Sequence, residues 1–146
     1  MGIIEGCKTV LHYFGTDKMK VAWLKQGKLA KREVLTCALS KNLELRKMSW
    51  EVLNQHPSLI VDLVGRDDLG RRCFSSDIER LFRRPDAKPA TIAKVLAGLI
   101  LEPFKKGDLD RAVRILKFHQ VRGQGDILSE LGMLNQALFE AIRRAL

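Results

Sequence analysis

The sequence lacks a long apolar run, and its aromatic content is low. In 146 residues, aromatic side chains make up only 6%. The apolar run Val95–Leu101 is far shorter than the roughly 18 residues that a membrane span needs. No basic-then-apolar leader with a small-residue cleavage site is seen. We therefore expect a soluble protein that neither enters a membrane nor is secreted.

Cysteine and histidine are also scarce. The three cysteines (Cys7, Cys37 and Cys73) are odd in number and widely spaced, without a metal-binding or disulfide pattern. The three histidines have no helical ligand spacing either, so a zinc site is disfavoured and surface or half-buried histidines are expected. We predict reduced thiols in an intracellular protein, cytoplasmic or nuclear, with no metal and no cofactor.

No catalytic motif stands out. The segment Gly65–Gly70 lacks the Lys-Ser/Thr that completes a phosphate-binding loop. Gly123-Gln124-Gly125 could open a helix toward a phosphate, but no strand precedes it, so a flexible turn is favoured. The carboxylate pairs Asp67-Asp68 and Asp108 with Asp110 fall at expected helix starts, where capping is favoured over acid–base chemistry. We predict that the protein is not an enzyme.

Apolar residues recur with the three-and-four spacing of helices, and no segment alternates as a strand does. The sequence predicts one all-α domain over residues 1–146, either a compact helical bundle or a short stack of helical hairpins. The clearest local signals are an Asp17 cap, a glycine stop at Gly27 and a capping box from Ser76 to Glu79. Predicted helices are Lys28–Leu39, Leu43–Asn54, Ser58–Val64, Ala90–Leu101, Leu109–Val121 under an Asp108 cap, and one long helix from Asp126.

Two of these helices carry specific expectations about burial. Ala90–Leu101 has Lys94 as its one charge, so a central position is expected, with Ile92, Val95, Leu96, Leu99 and Ile100 buried. In the long last helix the predicted inward residues are Ile127, Leu131, Leu134, Leu138, Ala141 and Ala145.

A register of 40 residues aligns three leucines: Leu29, Leu69 and Leu109. Each is followed two residues later by a basic side chain, and each motif follows an apolar run. Such a period is typical of stacked helix pairs. The segment Pro57–Leu81 resembles one unit of the HEAT type, with a proline, an Asp-Asp turn and then Arg71-Arg72. A true repeat and an irregular bundle both stay open at this point.

Positive charge is the strongest functional signal. The net charge is +9, and the stretch from Lys8 to Lys47 holds ten Lys/Arg against three Asp/Glu. This asymmetry predicts electrostatic binding of nucleic acid, RNA more than DNA, or of an acidic protein surface. Trp23 lies among these charges; burial is favoured, and stacking on an unpaired base is the alternative. The predicted binding residues are Lys18, Lys20, Lys25, Lys28, Lys31, Arg32, Arg46 and Lys47.

The helix ending at Arg122 suggests a different function. Arg111, Ile115, Phe118 and Arg122 recur on one side of it, where an Ile–Phe pair between arginines could grip a partner. Burial of this face between neighbouring helices is favoured, and partner binding is the alternative. The second hypothesis is therefore a protein–protein interaction module, or a subunit of a larger complex. The oligomeric state is not predicted.

Overall fold

The computed structural model describes residues 15–64, 66, 69–71, 73–100, 104–119 and 123–146. These residues form nine α-helices and no β-strand, which confirms the predicted all-α class. None of the helices in this part of the chain is long and apolar enough to cross a membrane. The helices are α1 (Asp17–Lys25), α2 (Lys31–Cys37), α3 (Leu43–Gln55), α4 (Ser58–Leu63), α5 (Ser76–Phe82), α6 (Pro89–Leu99), α7 (Lys106–Phe118), α8 (Gln124–Leu134) and α9 (Gln136–Ala145).

The chain divides into two compact units. Unit 1 is Met1–Gln55, in which α1 and α2 both pack on α3. Unit 2 is His56–Leu146, in which α6 packs most extensively on α8 and also contacts α4. Helix α7 contacts α5, α8 and α9 in the same unit. The single domain expected over residues 1–146 stays a prediction.

Helix α6, which corresponds to the predicted helix Ala90–Leu101, is the central helix of unit 2. Helix α6 is buried on most sides, because it carries apolar residues around most of its circumference. All five side chains predicted there are at most 4% exposed, namely Ile92, Val95, Leu96, Leu99 and Ile100. This prediction is confirmed.

Helix α1 begins and ends at local signals. Thr16, and not Asp17, is its N-cap: the Thr16 hydroxyl accepts a hydrogen bond from Met19 N at 3.2 Å. At the other end Gly27 adopts φ +66°, which an L side chain rarely tolerates. Lys28 N donates to Trp23 O at 2.8 Å and Gly27 N to Leu24 O at 3.0 Å. This pair of bonds is a Schellman motif, so the predicted glycine stop is confirmed.

Two predicted caps are wrong in register. Ser75, and not Ser76, caps α5, and its hydroxyl accepts from Ile78 N at 3.4 Å. Glu79 therefore lies one residue beyond the capping-box position, and its carboxylate pairs with arginines. Helix α7 starts at Lys106, so Asp108 lies inside its first turn and does not cap it.

The predicted long last helix is two helices. Asn135 is extended (φ −154°, ψ 96°), and its side chain accepts from Leu138 N, which caps α9. Ile127, Leu131 and Leu138 are buried as predicted. Leu134 is 48% exposed, because it ends α8 just before the break.

The 40-residue repeat is not confirmed. Leu29 is buried in the segment before α2, whereas Leu69 is 76% exposed in a turn and Leu109 lies within α7. Three equivalent positions of a helical repeat would share one environment. The aligned leucines do not.

Candidate nucleic-acid interface

Four basic side chains surround the turn between α1 and α2. Lys25 ends α1, Lys28 follows the glycine stop, and Lys31 and Arg32 open α2. All four are exposed. We call this set, Lys25, Lys28, Lys31 and Arg32, the basic corner. The Schellman turn fixes its backbone, so the four charges come from eight consecutive residues on an ordered support.

Two of these charges oppose the helix that carries them. Lys31 and Arg32 lie in the first turn of α2, where the backbone N–H groups give a partial positive charge. Basic residues are unfavourable at that end of a helix, and acidic ones are preferred. Helix stability therefore does not account for Lys31 and Arg32 at these positions.

Neighbouring predicted residues extend the exposed charge in part. Lys18 is exposed on α1, two turns before Lys25 and on the same face. On α3, Lys47 is exposed while Arg46 is half-buried. Lys25 Nζ lies 3.6 Å from Glu44 Oε1, but both side chains are 63% exposed, and such pairs contribute little free energy.

Lys20 does not belong to this surface. Its ammonium Nζ lies 2.6 Å from Glu33 Oε1, and the two side chains are only 13% and 6% exposed. Burial alone lowers the pKa of Lys20, but the hydrogen bond and negative charge of Glu33 outweigh it and raise that pKa above its ordinary 10.5. Lys20 therefore joins α1 to α2, which corrects its place among the exposed binding residues.

The partner of Lys20 belongs to a polar cluster inside unit 1. Cys37 Sγ lies 4.0 Å from Glu33 Oε1, and Ser49, also buried, donates to Leu45 O at 2.8 Å. Burial raises the pKa of the Cys37 thiol to about 11, and the charge of Glu33 adds to the effect. Sequence reasoning missed Glu33, because thirteen residues separate it from Lys20 and no helical spacing connects them.

The two tryptophans of unit 1 differ in their burial. Trp50 is 1% exposed, and its indole Nε1 donates to Ala38 O at 3.0 Å, which holds the end of α2 on α3. Trp23, expected to be buried, is half-buried on α1.

Cys37 and Cys73 are both free thiols.

The predicted partner-binding face of α7 is divided by the structure. Ile115 is fully buried, so it belongs to the core and does not form an exposed pair with Phe118. Arg111 is half-buried and donates to the carbonyl oxygen of Phe74. Phe118 is 53% exposed, and Arg122 lies outside the described residues. Of the four, Phe118 is the apolar side chain that the structure leaves accessible.

Two arginines bind Glu79 of α5, and one of them, Arg114, comes from α7. Arg114 binds Glu79 through two hydrogen bonds, of 2.7 and 3.1 Å, and Arg83 adds a third at 3.1 Å. The hydrogen bond from Arg114, with the charges of Arg114, Arg83 and Arg111, lowers the pKa of Glu79 against the opposing effect of burial. The Glu79 carboxylate thus binds arginines from α7 and from the end of α5. This indicates a structural role for Arg114 and Arg83, because the carboxylate that they share joins the two helices.

Phe118 borders a pocket in unit 2. The pocket has a volume of about 390 Å³ and is lined by residues that include Pro85, Pro89, Ile92, Phe118, His119 and Ile127. His119 Nε2 lies 2.5 Å from Phe82 O, and its ring meets that of Phe118 edge-on, with centroids 5.1 Å apart. No sequence signal indicated this pocket, because the linker before α6 and the end of α7 form it together.

Within the described segments, no group of three or more His, Cys, Asp or Glu side chains is placed to hold a metal ion.

Comparison with known proteins gives no match: no family model, no curated protein and no solved structure matches the chain.

Proposed function

We propose that the protein is a non-catalytic, intracellular binding protein whose basic corner contacts the phosphates of nucleic acid. The observation that carries the proposal is the corner itself: four exposed cations among eight consecutive residues, held by a fixed turn. Two of them stand where the helix dipole disfavours positive charge. A phosphate backbone would offset this repulsion.

The chemistry of the corner favours backbone contacts over base readout. Three of its four residues are lysines, which act on phosphates as flexible point charges. Such contacts position a nucleic acid but carry no sequence information. The sequence has no recognisable motif that reads a DNA groove, so we propose weak sequence specificity and a strong dependence on salt, with RNA preferred to DNA.

Charge reversal with a matched control tests the proposal. The corner variant replaces Lys25, Lys28, Lys31 and Arg32 with glutamate. The control replaces Lys94, Lys105, Lys106 and Arg144, which are three exposed lysines and one exposed arginine of unit 2. Both variants change the net charge equally, and both include a weak exposed ion pair: Lys25 with Glu44 at 3.6 Å and Arg144 with Glu140 at 4.0 Å.

Affinity for a labelled single-stranded RNA is measured at low salt by fluorescence anisotropy. We expect the corner variant to lose about a hundredfold in affinity or more, and the control to lose far less. Circular dichroism should show both variants folded, because surface substitutions cost little stability. Equal losses would mean that net charge, and not the corner, drives binding.

The absence of any affinity for RNA or DNA in the wild type would contradict the proposal. The protein–protein interaction module would then take its place, with exposed Phe118 as the first residue to test. An acidic protein partner at the basic corner would show the same charge-reversal effect with a protein ligand in place of RNA.

A further inference from the structure

We propose that the pocket beside Phe118 holds an unpaired nucleobase of a single-stranded nucleic acid. This inference rests on the proposed function, because it assigns the pocket a ligand of the same class. It adds base recognition within unit 2 to the proposed phosphate contacts of unit 1.

The first argument is the aromatic ring. Phe118 is 53% exposed although it is a large apolar side chain at the rim of a pocket. Its ring lies at an interplanar angle of 85° to that of His119, so His119 does not stack in parallel on the Phe118 ring. Flat bases stack on exposed aromatic faces with little regard to sequence. The volume of about 390 Å³ is within the range of small-ligand sites.

The second argument is the chemistry of His119. A carbonyl oxygen can only accept, so the contact of His119 Nε2 with Phe82 O places the proton on Nε2. In the neutral ring Nδ1 then carries a lone pair and accepts. His119 is 9% exposed, and apart from it the pocket is lined by apolar side chains and Gly123. An N–H donor on a flat ring, which nucleobases provide, suits an apolar pocket with one polar group.

The third argument is the charge of residues adjacent in sequence to the lining positions. Among described residues, the basic side chains next to lining positions are Arg84, Lys88 and Lys117, and the acidic ones are Asp86 and Asp126. Lys88 and Lys117 are exposed, whereas Asp86 is half-buried. Of these five residues, Lys88, Lys117 and Asp126 are exposed, which gives a net charge of +1. A positive charge close to the pocket along the chain favours a nucleotide, which carries a phosphate, over an uncharged apolar ligand.

The test compares single strands with duplexes. Phe118→Ala removes the ring, Phe118→Tyr keeps it, and Leu134→Ala is the control, because Leu134 is similarly exposed at 48% in the same unit. We expect Phe118→Ala to lower the affinity for a single-stranded oligonucleotide on the order of tenfold, and to leave the affinity for a duplex of the same length unchanged. Phe118→Tyr and Leu134→Ala should bind as the wild type does.

A base-analogue probe tests contact directly. The fluorescence of 2-aminopurine in the single strand should be quenched by the wild type and less by Phe118→Ala. Wild-type affinity in Phe118→Ala, with the protein folded, would overturn the inference while the corner variant still tests the proposed function independently. A free nucleoside monophosphate is the second ligand to test. If it bound with the same dependence on Phe118 while the oligonucleotide did not bind, the inference that the base belongs to a nucleic-acid strand would be wrong.

Discussion

The two units are stabilised by different interactions. In unit 1 the helices α1 and α2 are joined by a nearly buried ion pair, Lys20 with Glu33, and an indole hydrogen bond holds α2 on α3. In unit 2 the central helix α6 buries mainly its own aliphatic side chains, and the arginines that bind Glu79 are exposed. The ion pair of unit 1 is nearly buried on both sides, whereas the ion pairs of Glu79 in unit 2 involve exposed arginines.

This difference follows from helix length and composition. Helix α2 has seven residues and presents only a few apolar side chains, so burial alone gives it little free energy. A buried pair between groups of opposite charge restricts how α1 and α2 meet, although such pairs are costly to desolvate. Unit 1 should therefore respond to changes of charge and pH, and unit 2 to changes of volume.

The largest expected effect is a cavity in unit 2. Leu96 is fully buried, so Leu96→Ala should lower the free energy of unfolding by about 2–5 kcal/mol. Leu69 is 76% exposed and supplies the control: Leu69→Ala should change the free energy of unfolding by less than about 0.5 kcal/mol. Chemical denaturation measures both, and equal stability of the two variants would refute the central position of α6.

Next comes the buried ion pair of unit 1. Glu33→Gln leaves the Lys20 ammonium without its counter-charge, and we expect a loss of about 1–3 kcal/mol. The loss stays below that of a fully buried pair because Lys20 retains some contact with water. Glu44→Gln, which breaks only an exposed pair, is the control and should be nearly neutral. Hydrogen exchange should show faster opening of α1 and α2 in Glu33→Gln and not in the control.

A pH dependence should distinguish unit 1 further. The thiol of Cys37 has an ordinary pKa of 9.0 and a folded pKa of about 11. Between these values the folded state keeps a proton that the unfolded state has released, so stability is full below pH 9.0 and falls as pH rises. Lys20 contributes a similar loss only above 10.5.

Cys37→Ala should therefore flatten the decline between pH 9.0 and 10.5, whereas Cys73→Ala should not. Thermal denaturation at several pH values measures the slope for each variant. An identical decline in Cys37→Ala and the wild type would show that the thiol is not the titrating group.

The smallest expected effect concerns the break between α8 and α9. Asn135→Ala removes the oxygen that accepts from Leu138 N, which should cost about 1 kcal/mol. Asn135→Asp retains an acceptor and should behave as the wild type. If Asn135→Ala were as stable as the wild type, the cap would contribute nothing to the start of α9.

Local signals explain what the sequence predicted. The glycine at position 27 and the apolar circumference of α6 each act within a few residues, and these predictions are confirmed. The break at Asn135 was missed because Leu131 and Leu138 are seven residues apart, which keeps the helical register across the break.

Contacts between residues far apart in the chain explain what the sequence did not predict. Glu33 meets Lys20 only after α1 and α2 fold together. The spacing of Ile115 with Phe118 and the arginines left both burial and a partner-binding face open, and Ile115 is buried in the core. The exposed charges of the basic corner follow directly from the sequence. The pocket beside Phe118 depends on how the linker before α6 meets the end of α7, which no local pattern encodes.

The salt dependence of RNA binding is the most direct test of the basic corner. The variant with Lys25, Lys28, Lys31 and Arg32 all changed to glutamine removes the four charges without reversing them. Each phosphate contact with a single strand contributes about 0.7 to the slope of log affinity against log salt, so the slope of the variant should be shallower by about 3. A slope equal to that of the wild type, or a wild type that binds no RNA at the lowest salt, would contradict the account.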